Sequence, residues 1–426
     1  MKKKLFSILI VIIFLSVPFF NVKSANISWT PEGLINLVFT ERVKLGSSSN
    51  LNEYILNRET AKKALSNFFL EPTELIKSLV QFDIDYKSMV DENCEAVKFT
   101  PLIRVYRIDK NDNIAVAYVE QFLMYRVKLK PEVPIRADIP KEYIVPTDIN
   151  GAWVSAGENY YTVTMKKVKG IWKINKFIDA DIEGLSEKVG FLFAGVNNFQ
   201  SPPQEKLPLP QEIIEELQRS SIGYDTGLNG AFTLQRPSYP TRSTAAQYAD
   251  TYWSNYNTQK YATFPNDCAN FASQCLYEGG WNMDWNNNGV TEQGYPNNRS
   301  QEWHINTGTT NSSLSWIQAD TLETYIRGNW DYMNGVTKSP FGKEAGSTVN
   351  HVDSYTKAKL GDIVTLDRNS NNSPDHVGVV ASIRPDGVPL VDAHTNDCYH
   401  ASWKDCAYLF HTTKIDYELI WYGTGP

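Results

Sequence analysis

Pro265-Asn266-Asp267-Cys268-Ala269-Asn270-Phe271-Ala272-Ser273-Gln274-Cys275 reads as the opening of a helix, with Asn266 or Asp267 as N-cap and Gly279-Gly280 as the stop. Cys268 then falls in the first turn, where free amide groups and the positive end of the helix dipole favour a thiolate over a thiol. Residues 268, 271, 272 and 275 share one helical face, a spacing that also fits a plain apolar stripe. Cys275, deeper in the helix with no capping context, reads as packing. The two thiols stand seven positions apart, about 10 Å along the axis, too far to bridge.

A thiol nucleophile needs a base, and the chain has six histidines. About a hundred residues downstream, Asp375-His376-Val377-Gly378-Val379-Val380 opens an alternating apolar run with a histidine at its first position. His304 and His351 lie in loop-rich sequence, and His400 and His411 lie close to Cys398 and Cys406. A cysteine at a helix start followed by a histidine at a strand start points to a hydrolase. A third group should orient the imidazole from the next strand. Val388-Pro389-Leu390-Val391-Asp392-Ala393-His394-Thr395-Asn396 follows the turn Pro385-Asp386-Gly387 and pairs with the His376 strand as a hairpin. Asp392, His394 and Asn396 alternate onto one face, so each has the geometry for that role.

Around these motifs the region 241–426 reads as two helices followed by strands. Thr244-Ala245-Ala246-Gln247-Tyr248-Ala249-Asp250-Thr251-Tyr252-Trp253 is helical with aromatic residues on one side, and the cysteine helix comes next. Loop-rich sequence follows, full of Asn, Gly and Trp. Strands are expected at 362–366, 376–383, 388–394 and 417–422. Trp281, Trp285, Trp303, Trp316 and Trp330 fit either the wall of a groove or a domain core.

The first half is organised differently. Residues 28–95 read mainly as helix, and 96–178 change to a period of two. Lys110-Asn111-Asp112-Asn113 and Lys169-Gly170 mark two hairpin turns. Helices followed by a curled antiparallel sheet make an α+β domain. Ser201-Pro202-Pro203-Gln204-Glu205-Lys206-Leu207-Pro208 holds neither ladder nor helix, because successive prolines lack amide donors. The expected organisation is a leader at 1–25, an accessory domain at 26–195, a linker at 196–240 and a catalytic domain at 241–426.

Lys2-Lys3-Lys4, a largely apolar run over 5–20 and the small residues Ser24-Ala25 have the order of a secretory signal peptide. The apolar run is shorter than the roughly twenty residues of a spanning helix, so a secreted protein without stable membrane insertion is expected. A formal net charge of −7 gives no electrostatic reason to bind nucleic acid. Five cysteines in an exported chain leave at least one outside any internal pair, and Cys398 and Cys406 bracket a loop that a disulfide can close. No zinc spacing is present, and Asp284-Trp285-Asn286-Asn287-Asn288-Gly289 with Glu292 matches only half a calcium loop, Tyr295 standing where its last acid belongs. No cofactor is expected.

Tyr248-Ala249-Asp250-Thr251-Tyr252-Trp253, Asn266-Asp267-Cys268-Ala269-Asn270-Phe271-Ala272-Ser273-Gln274-Cys275-Leu276, Gly279-Gly280, Gly361-Asp362-Ile363-Val364 and His376-Val377-Gly378-Val379-Val380 occur in that order. Together they resemble the secreted "putative amidase domain" family, related to the CHAP and NlpC/P60 groups of papain-like cell-wall hydrolases. The resemblance covers roughly 240–425 and implies a papain-like domain with Cys268 as nucleophile and His376 as base. His394 fills the third position by likeness to NlpC/P60 relatives, Asn396 or Asp392 by likeness to CHAP relatives. The oxyanion glutamine of papain-type enzymes falls at Ala262, with Gln259 and Asn266 the nearest substitutes. The implied substrate is an amide bond in peptidoglycan, within stem peptides or between peptide and muramic acid. The accessory domain resembles NTF2-like or cystatin-like modules in architecture.

Overall fold

The computed structural model describes residues 30–179, 209–221, 241–283, 303–306, 312–328, 358–366, 373–395, 397–402 and 417–420. The signal-like run, most of the Pro-rich linker, the half calcium loop, Asn396 and Cys406 lie outside these residues, and so does the Cys398–Cys406 pairing. The chain divides into two compact units: residues 1–86, 95–126 and 157–214 in the first, and 87–94, 127–156 and 215–426 in the second. Helices and antiparallel strands together make the fold α+β. No helix among the described residues is long and apolar enough to cross a membrane.

Helices α1 (Pro31–Gly46), α2 (Leu51–Leu65) and α3 (Pro72–Met89) precede strands β1 (Cys94–Lys110), β2 (Ile114–Leu129), β3 (Trp153–Val168) and β4 (Ile171–Asp179). Local chemistry starts the first two. Thr30 Oγ1 accepts from Gly33 N at 3.1 Å ahead of Pro31, and Asn50 Oδ1 accepts from Glu53 N at 2.9 Å. The expected β3–β4 hairpin closes Val168 on Ile171, with Lys169 and Gly170 at φ 50° and 83°, the left-handed pair that a two-residue turn requires. Leu34, Ile35, Val38 and Phe39 of α1 form part of this unit's core.

In the second unit, after α4 (Gln211–Ser221), come α5 (Arg242–Tyr252), α6 (Cys268–Glu278), α7 (Leu314–Ile317) and α8 (Ala319–Gly328). Strands β5 (Ile363–Leu366), β6 (His376–Ile383), β7 (Pro389–Ala393), β8 (Cys398–Ser402) and β9 (Tyr417–Ile420) run in the order β8-β7-β6-β5-β9, antiparallel throughout. Helices α5 and α6 pack on each other and on β6. The β6–β7 turn at Pro385-Asp386-Gly387 is as expected, with Gly387 at φ 95°.

The Gly361-Asp362 pair has a physical basis here. Gly361 sits at φ 73°, and a Cβ on it would come within 3.1 Å of the Arg242 carbonyl and 3.3 Å of Ala245 Cβ, so only glycine lets α5 approach this closely. Asp362 then takes the buried Arg242 guanidinium at 2.5 Å and the amide of Lys359 at 2.8 Å. Burial outweighs Arg242 and raises the Asp362 carboxyl above its ordinary value.

Sequence reading placed this unit's whole chain after the linker, whereas two earlier segments belong to it as well. Arg136 N donates to Pro385 O and Val145 N to Ile383 O, both at 2.8 Å. Arg384, its side chain 1% exposed, pairs with Asp91 and with Asp386. A buried guanidinium requires such partners, and Asp91 lies 293 positions away.

Candidate active site

Cys268 is the first residue of α6 and Asp267 its N-cap, as the sequence indicated, but Asp267 does not cap in the usual way. Its backbone is in the helical region, and its carboxylate makes no capping bond to the first turn's amides. Oδ1 instead accepts from Phe264 N and from Asn270 Nδ2, both at 2.8 Å, and Oδ2 meets His394 Nδ1 at 2.6 Å. The Asp267 amide donates to Thr395 Oγ1 at 2.6 Å. The residue preceding the thiol is thus tied on both its backbone and its side chain to the segment that follows β7.

His394 lies one residue beyond β7. Its Nε2 donates to the carbonyl of Tyr252 at 2.8 Å, while Nδ1 shares the bond with Asp267. Phe271 and Tyr256 sandwich the ring at 3.9 and 3.7 Å between centroids. Both nitrogens are committed to these two acceptors, so the imidazole pins the start of α6 to the end of α5. Sequence reasoning put His394 beside His376 as its orienting partner; the hydrogen bonds direct it to the residue before Cys268. Asn396 lies outside the described residues.

Asp392, the third option for the orienting role, pairs in register with Val379, three positions along β6 from His376. Its Oδ1 accepts the amide of His400 at 2.7 Å, and its carboxyl adjoins that of Asp250. Burial and then the Asp250 charge push the Asp392 carboxyl well above the ordinary carboxylate range.

The register that sets Asp392 opposite Val379 also sets the start of β6 beside the end of β7. Thr395 and His394 hold the first turn of α6 at that same end. Cys268 and His376 therefore come to one end of one helix–sheet layer, buried with 5% and 7% of their surfaces exposed.

The rest of α6 is fixed rather than reactive. Trp316 Nε1 donates to Asn270 Oδ1 at 2.8 Å, Trp303 Nε1 to Ser273 Oγ at 3.0 Å, and Tyr248 Oη to Gln274 Oε1 at 2.9 Å. Trp281, Trp303 and Trp316 are buried and pack ring on ring, so these three tryptophans are core and not a groove wall. Cys275 is fully buried, and desolvation, then the charges of Asp392 and Glu278, pushes its thiol well up. At Ala262, where the oxyanion glutamine of papain-type enzymes would fall, the backbone carbonyl accepts from Asn270 Nδ2 at 2.9 Å. The Asp267–His394 link spans 127 positions and carries no local signal beyond the residue types themselves.

A stretch of 176 residues, 41% of the chain, is 27% identical to the uncharacterized protein YhbB of Bacillus subtilis (strain 168), and the match spans 48% of that protein's length. No solved structure matches the chain. Residues 239–420, which carry both Cys268 and His376, match the family described as "Putative amidase domain", and the match points to an amide-hydrolysing enzyme.

Proposed function

We propose that the second unit is a cysteine-dependent amide hydrolase of papain-like type, exported to act on peptidoglycan stem peptides or on the muramoyl–peptide bond. The observation that carries the proposal is the anchored first turn of α6: Cys268 opens a buried helix whose preceding residue is bound to the end of the sheet where β6 starts with His376. In this reading the Cys268 thiolate adds to the amide carbonyl carbon, with the first-turn amides of α6 facing the oxyanion. The amine leaves with a proton from His376. Water, giving its proton to the neutral imidazole, then attacks the thioester; the acid departs and the thiolate is restored.

Export rests on the N-terminal lysines and apolar run, and the wall substrate rests on the family resemblance. The first unit, three helices followed by long antiparallel strands, is read as an NTF2-like or cystatin-like accessory module. The test is digestion of purified cell walls, read by mass spectrometry. Wild-type chain should release fragments ending at one defined amide, and Cys268→Ala or His376→Ala should reduce release by at least about a thousandfold. Unchanged release by either variant refutes the proposal. Transfer of the acyl group to an added amine identifies a transamidase instead, and retention on walls without cleavage identifies a binding module.

A further inference from the structure

Asp250 on α5, Asp392 on β7 and His400 on β8 converge on one another and have no part in the chemistry above. One donor atom from each lies within 4.8 Å of the others. His400 Nε2 is 2.8 Å from Asp250 Oδ1, and the carboxyl of Asp392 is in hydrogen-bond contact with that of Asp250. Asp392 is fully buried, and its Oδ2 has no donor from the protein. Two carboxyls in contact inside a fold either share a proton or take a positive centre between them, and the Asp392 oxygen without a donor is where such a centre would stand.

We propose that Asp250, Asp392 and His400 bind one divalent transition metal ion of the zinc class. One imidazole nitrogen among three donors favours a borderline ion over calcium or magnesium, which prefer oxygen throughout. Tetrahedral zinc ligands stand about 3.3 Å apart, and the three donor atoms, within 4.8 Å of one another, would close to that spacing around the ion. The His400 end is already held: Ser155 Oγ donates to the His400 carbonyl at 2.8 Å, and the His400 amide donates to Asp392. His400 has φ 50°, a backbone state a non-glycine residue keeps only where its surroundings enforce it. The ion would tie α5 to two strands of the sheet, a cross-link in the fold and not a reacting centre. The spacing behind it, 150 positions between Asp250 and His400, matches no sequence motif for zinc. The inference does not rest on the hydrolase reading.

The experiment titrates zinc into the full chain after stripping with a chelator, on a Cys268→Ser background so that this thiol cannot compete. Calorimetry should give one saturable equivalent, and melting temperature should rise by several degrees at about a hundredfold excess over Kd. Asp392→Asn and His400→Gln should each weaken binding at least about tenfold. Cobalt(II) bound in place of zinc should show d–d bands without a thiolate charge-transfer band, a readout that needs neither of those two variants to fold. No saturable binding would mean that Asp250 and Asp392 share a proton, and the proposal falls. It falls equally if binding survives both substitutions undiminished or if the cobalt spectrum shows a thiolate ligand.

Discussion

Arg42 in the first unit and Asp267 in the second are both charged and both buried, yet their surroundings differ in kind. The Arg42 guanidinium lies 4.8 to 5.4 Å from the ring centres of Tyr161, Phe177, Phe39 and Phe82. Among the described residues it makes one hydrogen bond, from Nη2 to Tyr161 Oη at 3.2 Å, while Nε and Nη1 find no partner. Asp267 is bonded to the Phe264 backbone amide, the Asn270 side-chain amide and the His394 imidazole, and it stands immediately before the turn that begins with Cys268. The first charge is held by π-faces and shape, the second by directional bonds. Aromatic caging tolerates small shifts and suits a scaffold. Directional bonding fixes one atom relative to another, as a nucleophile's position requires.

Asp267→Ala should show the largest effect. It removes the partner of His394 Nδ1 and Phe264 N and leaves Asn270 Nδ2 only its bond to the Ala262 carbonyl, and it should lower stability by about 3–5 kcal/mol, measurable by urea denaturation. Wall digestion by the fraction still folded should fall at least about a hundredfold, because the first turn of α6 loses its anchor. Arg42→Ala should cost about 2–4 kcal/mol through lost packing and cation–π contact while leaving the activity per folded molecule unchanged. Equal activity losses in these two variants would erase the distinction drawn between the two sites.

The two ends of α6 offer a finer test. Iodoacetamide at neutral pH should modify Cys268 at least about a hundredfold faster than Cys275 or Cys94, whose buried thiols are pushed well above the ordinary cysteine range. Peptide mapping after partial alkylation measures the ratio, and equal labelling would place Cys268 with the packing cysteines.

The smallest effect belongs to Glu74, whose carboxylate accepts from Phe177 N at 3.2 Å and pairs with Lys77. Burial pulls its pKa up, but Lys77 and the Phe177 amide prevail, and the net direction is down. Its stabilising contribution is therefore complete above the unfolded carboxyl value of about 4.3 and is lost as pH falls through the lower folded value. Glu74→Gln should cost about 1 kcal/mol at pH 7, and the difference from wild type should vanish in acid. A gap that stays constant down to pH 2 would contradict the assignment.

Much of the second unit was readable beforehand. The cysteine helix begins at Cys268 and ends before Gly279, β6 runs from His376 to Ile383, and the Gly387 turn follows. Each rests on a local rule: a capping position, a period of two, a glycine at positive φ. Strand ends shifted by a residue or so where periodicity fades; β5 starts at Ile363, and β7 stops at Ala393, just short of His394. The role of His394 was not readable, because alternation along a strand ranks Asp392, His394 and Asn396 alike. What separates them is the approach of α5 and α6, which bring Tyr252 and Asp267 to one ring.

The amino-acid order by itself determined an α+β chain with a cysteine at a helix start, a histidine at a strand start, and their sequence along the chain. These depend on caps, turns and hydrophobic period, interactions among residues a few positions apart. Packing determined what lies between them: Asp267 with His394, Asp250 with His400, Asp91 with Arg384, joined across 127, 150 and 293 positions. Buried charges must find partners wherever folding has brought them, and no local rule ranks partners so distant.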